Sequence, residues 1–401
     1  MNFRTCVQRV FRPGTSLVYS VLVACLGHVT PSHAQQTFVQ QHGQLSVVGN
    51  HIVDKNGVPI ALHGMSMYSW NNQGLNFYNA SAVGHLVNDW KCTVLRIPIL
   101  PGSVSSQTTP LKTVVDACIA DGIYAIIDWH SMGGADANAC SNFMKSMATA
   151  YGNTPNVMYE TWNEPVSETW TTIKAYHQTV IAAIRTIDTD NVIICGDPQW
   201  DQHPEQAAAS PITTSKNIAY SFHFYAATHK FASMGPNVAT ALKNGIALFV
   251  TEYGSCEASG SGTFDSSETR KWWHFLDSNS IGCTNWAVET NGETASAFAS
   301  NASSTGPWTN ANLTAPGIFV MNYITSKYQT VSVISDGFNL SRRDTKPGMS
   351  VSMTAGTRTS DIFALNGARI SGAAGGRQAN GSYVVKMTRA AGNGQCANLV
   401  R

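Results

Sequence analysis

The sequence predicts an α/β protein, a (β/α)8 barrel of the TIM type followed by a small C-terminal β-module. Three observations lead there. Short apolar runs recur eight times at intervals of 27–36 residues, at 62–65, 93–99, 123–128, 157–159, 191–195, 218–222, 247–251 and 283–288. Segments of helical period lie between most of them, such as 111–120, 171–187 and 268–276, and 315–328 would close the ring. Composition then changes after position 330. Residues 35–330 hold 13 Lys+Arg against 21 Asp+Glu, residues 331–401 hold 9 against 3, and all ten Trp precede position 331. Eight buried strands alternating with helices fit a closed barrel. A doubly wound open sheet fits less well, because no glycine-rich phosphate loop follows the first run.

Taken in order, the chain opens on an export leader at 1–34. Arg4, Arg9 and Arg12 precede an apolar run at 17–26, and Ser32-His33-Ala34 before Gln35 is a small-x-small cleavage pattern. That run is too short to span a bilayer. Leu22-Val23-Ala24-Cys25 offers lipoprotein processing at Cys25 as the lesser alternative. Either route takes the protein out of the cytoplasm, as a secreted or surface-associated product. Segments 45–49 and 51–54, followed by Lys55-Asn56-Gly57, read as an opening hairpin with an Asn-Gly turn. The barrel domain is assigned to 35–330, a linker to 331–348 and the β-module to 349–401, with strands around 361–367 and 381–387. With 43% hydrophobic and 12% charged residues, the chain can bury a large core and does not have the composition of a nucleic-acid binder. Seven cysteines follow the leader without metal-type C-x-x-C spacing, and Cys195 sits within an apolar run as a core residue.

Chemistry in such barrels gathers at the C-terminal ends of the strands. The second run offers Arg96, the third ends in Asp128-Trp129-His130, and the fourth leads into Trp162-Asn163-Glu164-Pro165. The sixth offers His223-Phe224-Tyr225, the seventh Glu252 and the eighth Trp286. Two strand-end carboxylates 88 residues apart, among Arg, His, Tyr, Asn and Trp, suit glycoside hydrolysis. One carboxyl must protonate the leaving oxygen while the other attacks the sugar carbon or activates water. Arg96 and Tyr225 are the candidates to keep Glu252 charged, and Glu164 should keep its proton until transfer. Asn163 would bond the sugar 2-OH and Trp286 would floor the adjacent ring. No metal or organic cofactor is needed for this chemistry.

The barrel resembles glycoside hydrolase family 5, in particular its bacterial endo-β-1,4-glucanases. The resemblance is carried by Trp162-Asn163-Glu164-Pro165, His223-Phe224-Tyr225-Ala226, the stretch 244–254 (NGIALFVTEYG) and Asn285-Trp286. It continues through Gly292-Glu293-Thr294-Ala295-Ser296-Ala297 and Gly306-Pro307-Trp308-Thr309, and spans about 45–328. It implies a retaining mechanism with Glu164 as acid/base and Glu252 as nucleophile. Arg96, His130, Asn163, His223, Tyr225 and Trp286 would be its supporting residues. Trp200 and, less strongly, Trp70 would be stacking platforms. The implied partner is cellulose or another β-glucan, with mannanase or xyloglucanase action, or a non-catalytic polysaccharide-binding barrel, as alternatives. The chain departs from the pattern at Ser131-Met132, where many relatives carry a second His, and at Tyr253, where many carry Trp. It departs also at Asn291 (commonly Lys) and at Met67 or Tyr68 (commonly His). Leu365-Asn366-Gly367-Ala368-Arg369, Asn380-Gly381-Ser382-Tyr383-Val384-Val385-Lys386 and the terminal Leu399-Val400-Arg401 are similar to the sorting domains of type IX secretion. That implies contact with secretion machinery or attachment to the cell surface; a passive β-appendage or a small carbohydrate-binding module is the alternative, the latter disfavoured because the segment has no Trp.

Overall fold

The computed structural model describes residues 36–327 and four short strands between 361 and 400. The leader, the 331–348 linker and the remainder of the C-terminal segment lie outside the described residues.

Two antiparallel strands, β1 (Ser46–Val48) and β2 (His51–Val53), open the fold. The turn between them is Gly49-Asn50 rather than the Asn-Gly dipeptide expected from sequence. Asn56-Gly57 makes the next turn, where the Asp54 carboxylate accepts from the backbone N–H groups of Asn56 and Val58. An Asx turn of this kind uses the same residue types, so the sequence signal was real but belonged one turn later.

The eight apolar runs form β3 (His63–Met67), β4 (Val94–Ile99), β5 (Tyr124–Trp129), β6 (Val157–Glu160), β7 (Ile193–Cys195), β8 (Ile218–Tyr225), β9 (Leu248–Gly254) and β10 (Cys283–Val288). All eight pair in parallel, and β10 closes against β3 to complete the barrel. Helices between them start at side-chain caps: Asp136, Thr169 and Asp265 accept from the first-turn N–H groups of Ala137–Tyr151, Trp170–Arg185 and Ser266–Ser278. Helix Val104–Asp121 ends at Gly122 in the left-handed region, φ 70°, where a Cβ would meet Thr37 at 2.2 Å.

Strand alternation sorts most of the core into two bodies, with a small third cluster of Tyr68, Tyr225, Cys256, Trp286, Ala287 and Ala295. Outward residues such as Leu95, Ile97, Ile127, Tyr159 and Phe222 join the layer between barrel and helices. Inward residues near the strand starts, including Val94, Tyr124, Ile126, Met158 and Ile194, form a separate apolar plug. Above that plug the inward positions turn polar, with Arg96, Asp128, Glu160, Ser221 and Thr251 all buried. β9 interrupts the alternation. Its pairing with both neighbours slips by one residue, so three steps on β9 (Val250 to Tyr253) match two on β10 (Cys283 to Asn285). Val250 and Tyr253 both join the outer layer. The residues between them, Thr251 and Glu252, both bond with inward-facing partners. This is a β-bulge, a device that re-aims a side chain.

In the C-terminal segment, β11 (Asp361–Ala364), β12 (Arg369–Ile370), β13 (Tyr383–Lys386) and β14 (Leu399–Val400) form an antiparallel sheet in the order β12-β11-β13-β14. The six cysteines of the barrel are buried free thiols, Cys195 among them in the outer core.

Candidate active site

The site is built upward from Arg96, the third residue of β4, which is fully buried and faces inward above Val94. Its guanidinium forms a fork on Glu160, with Nε to Oε2 at 2.7 Å and Nη2 to Oε1 at 3.1 Å. Nη1 donates to Glu252 Oε2 at 2.8 Å, and Nη2 also reaches Asn163 Oδ1 and lies 3.0 Å from Asp128 Oδ2. Only arginine offers so many donors in a plane. One positive charge cannot balance three buried carboxylates. Burial accordingly pushes Asp128 up to about 7 despite the guanidinium beside it, and raises Glu160 for the same reason.

Both oxygens of Glu252 are held: Arg96 takes one, and the Tyr225 hydroxyl donates to the other at 2.6 Å. Burial and the neighbouring Glu252 raise the Tyr225 phenol well above its ordinary value, so it remains an O–H donor. Across the mouth, burial raises Glu164, whose Oε1 lies 3.0 Å from His223 Nδ1. The other ring nitrogen of His223 lies 2.8 Å from Thr251 Oγ1, which in turn pairs with Ser221 Oγ. Burial holds His223 down to about 4, so the ring is neutral and can donate to or accept from Glu164. An oxygen of Glu164, an oxygen of Glu252 and a ring nitrogen of His223 lie within 4.8 Å of one another.

His130 is likewise lowered to about 4, first by burial and then by Arg96. Its Nδ1 bonds Asp128 at 2.7 Å, so Nε2 is the acceptor for the Trp70 indole N–H at 3.2 Å. Its ring stacks on Trp286 at 5.3 Å between centroids and 2° between planes. The cleft above these groups has a volume of about 610 Å³, and its rim carries Trp70 (48% exposed), Trp200 (41%) and Met132 (50%). Trp70 follows β3 and Trp200 follows β7, strands four places apart around an eight-strand ring and thus on opposite sides of the mouth. Trp200 belongs to a left-handed run of Gln199, Trp200 and Asp201 (φ 56–58°), and its N–H donates to the carbonyl of Pro165, next to Glu164.

The fold thus gathers Arg96, His130, Asn163, Glu164, Trp200, His223, Tyr225, Glu252 and Trp286, and the weaker platform candidate Trp70 lines the same cleft. Glu160 was missed, although a glutamate directly continuing the apolar stretch Val157-Met158-Tyr159 is itself a signal of a buried ion pair. Asp201 was missed too. It is buried, with Oδ1 accepting from the Asp197 N–H and Oδ2 at 3.5 Å from His223 Nε2. The sets Glu160–Asp201–His223 and Glu164–His223–Glu252 have ligand atoms close enough for a cation. Arg96 already occupies both oxygens of Glu160 and one of Glu252, which leaves these sets as poor metal cradles.

Residues 53–292 match the family model described as cellulase, glycosyl hydrolase family 5. Among curated relatives, an endoglucanase of Clostridium saccharobutylicum is 37% identical over 80% of this chain and 73% of its own length. Endoglucanase Z of Dickeya dadantii is 41% identical over 63% of this chain and 62% of its own. The solved catalytic domain of a Thermobifida fusca endoglucanase superposes with a TM-score of 0.68 at 29% identity, covering 72% of this chain and all of that one (100%). Two carboxyls facing each other at the strand ends of a closed barrel agree with that match, and the chain belongs to glycosyl hydrolase family 5 and is a glycoside hydrolase.

Proposed function

We propose that this chain cuts internal β-1,4-glucosidic bonds of cellulose or a related β-glucan with retention of configuration. The observation that carries the reading is the close approach of the Glu164 and Glu252 carboxyls, within 4.8 Å between nearest oxygens. Retaining glycosidases place their carboxyls about 5–5.5 Å apart, whereas inverting ones leave about 6.5–9.5 Å for a water.

Glu252, charged and held at both oxygens, attacks the anomeric carbon. Glu164 gives its proton to the departing oxygen as the C–O bond breaks, leaving a glycosyl ester on Glu252. Glu164, now a carboxylate, takes a proton from water, which attacks the same carbon and frees Glu252. His223, neutral, carries its proton on Nε2 toward the Thr251 hydroxyl and accepts at Nδ1 from the protonated Glu164, which orients that proton for transfer. Asn163 accepts from Arg96 through Oδ1, so its NH2 group is available to the hydroxyl beside the reacting carbon. Trp286 supplies the apolar floor. Trp70 and Trp200 act as platforms at opposite ends of the cleft, with Trp200 on the leaving-group side. The 1–34 leader supports export, and the C-terminal segment supports delivery to, or retention at, the cell surface.

The test is a product profile on soluble carboxymethyl-cellulose, mannan and xyloglucan, with the anomer of the first-formed product read by NMR. Release of β-configured glucan oligomers is expected. First-formed α-anomers would remove retention, and faster cleavage of mannan or xyloglucan would move the substrate assignment.

A further inference from the structure

We propose that His229 is a specificity residue for the leaving-group sugar, donating a hydrogen bond from Nε2 to one of its hydroxyls. The inference rests on the glucanase reading above and names a contact that reading does not use.

His229 sits four residues beyond Tyr225, in the turn that follows β8, and lines the cleft together with Trp200 and Gln202. Three bonds fix it. Its N–H donates to the Tyr225 carbonyl at 2.7 Å, its own carbonyl accepts from the Trp272 indole at 2.9 Å, and its Nδ1 accepts from the Tyr225 N–H at 2.9 Å. The last bond decides the chemistry. A ring nitrogen that accepts a backbone N–H carries no proton, so the neutral imidazole must carry its proton on Nε2. Among the described residues, no protein group takes up that N–H. A second proton would have to sit on Nδ1, facing the Tyr225 N–H, and burial also lowers the group below its ordinary value. His229 is therefore a neutral, rigid, single donor, which suits a hydroxyl oxygen better than a charged acceptor.

Its place on the ring gives the subsite. β6, β7 and β8 are consecutive, so Glu164, Trp200 and His229 occupy one arc of the mouth. Glu164 protonates the departing oxygen, so the sugar on that arc is the one that leaves. A ring lying on Trp200 would turn its edge toward the next strand, where His229 waits.

The experiment compares kcat/KM on cellotetraose, whose leaving group bears hydroxyls, with kcat/KM on 4-nitrophenyl β-cellobioside, whose leaving group has none. Two variants separate the ring's two nitrogens. His229→Asn keeps an acceptor where Nδ1 stood and loses the cleft donor, whereas His229→Gln keeps a donor near Nε2 and loses the acceptor. One neutral hydrogen bond corresponds to about a threefold to tenfold change. The cellotetraose-to-aryl ratio is expected to fall by that factor in His229→Asn and to hold within about twofold in His229→Gln. A ratio in His229→Asn that stays at the wild-type value would overturn the proposal, leaving His229 only its support of Tyr225. Wild-type protein that cleaves neither substrate would overturn the glucanase reading itself, and this contact with it.

Discussion

Arg96→Met removes one positive charge and five short contacts from the barrel interior while leaving an apolar chain of similar reach. Breaking a buried ion pair on one side costs about 3–5 kcal/mol near neutrality. Here the cost should depend on pH, because three carboxylates shared the guanidinium. Arg96 lowers Asp128 and Glu160 against the upward push of burial. Without it both rise further above their unfolded values. A carboxyl whose folded pKa exceeds its unfolded one stabilises below about pH 4 and loses that contribution as pH rises toward the folded value. Each extra proton taken up on folding therefore steepens the deficit by about 1.4 kcal/mol per pH unit. Urea unfolding at pH 5, 6 and 7 should show a deficit against wild type of about 1–2 kcal/mol at pH 5, growing to about 3–5 kcal/mol at pH 7. A deficit that stays flat across this range would refute the charge argument and leave Arg96 as a packing residue.

Three further outcomes are expected. Glu252→Gln should abolish turnover while still binding soluble glucan on affinity gels; near-normal rates would exclude Glu252 as nucleophile. Glu164→Ala should lose about 10²–10⁴-fold on glucan but far less on dinitrophenyl cellobioside, whose leaving group needs little protonation; equal losses on both would sink the acid assignment. His177 is buried and neutral, bonded to Thr161 Oγ1 and to the Gly196 carbonyl, and burial holds it at about 4. Its folded value lies below the unfolded 6.5, so its contribution is present above pH 6.5 and lost as pH falls to about 4, roughly 3 kcal/mol in all. In His177→Gln the stability gap to wild type should therefore close over that window, and a constant gap would contradict it.

Much of this was legible because barrel chemistry is tied to chain position. A strand that ends at Tyr159 or Phe222 announces where reacting groups can stand, so Glu164 and Tyr225 followed from periodicity. Glu160 was lost through a boundary drawn one residue early. Its burial depends on a guanidinium 64 residues away, which no local pattern reports. The left-handed run at Gln199-Trp200-Asp201 has no glycine to mark it, and among its bonds the long-range one from the Trp200 N–H to the Pro165 carbonyl has no local sequence signal. The platform role of Trp200 was readable from residue type. The reason it stands proud of the rim was not.

The doubled step in β9 limits how this chain can vary. Thr251 and Glu252 can both look inward only while one more residue is threaded there than the flanking strands supply. Deleting a single residue between Phe249 and Tyr253 would reset the count, turning either the glutamate toward the helices or the Tyr253 phenol into the mouth. Length variants should accordingly tolerate additions in the loop beyond Gly254, yet lose all turnover from one omission inside the strand, even where the ring still closes. What the chain inherits at this position is a spacing as much as a residue.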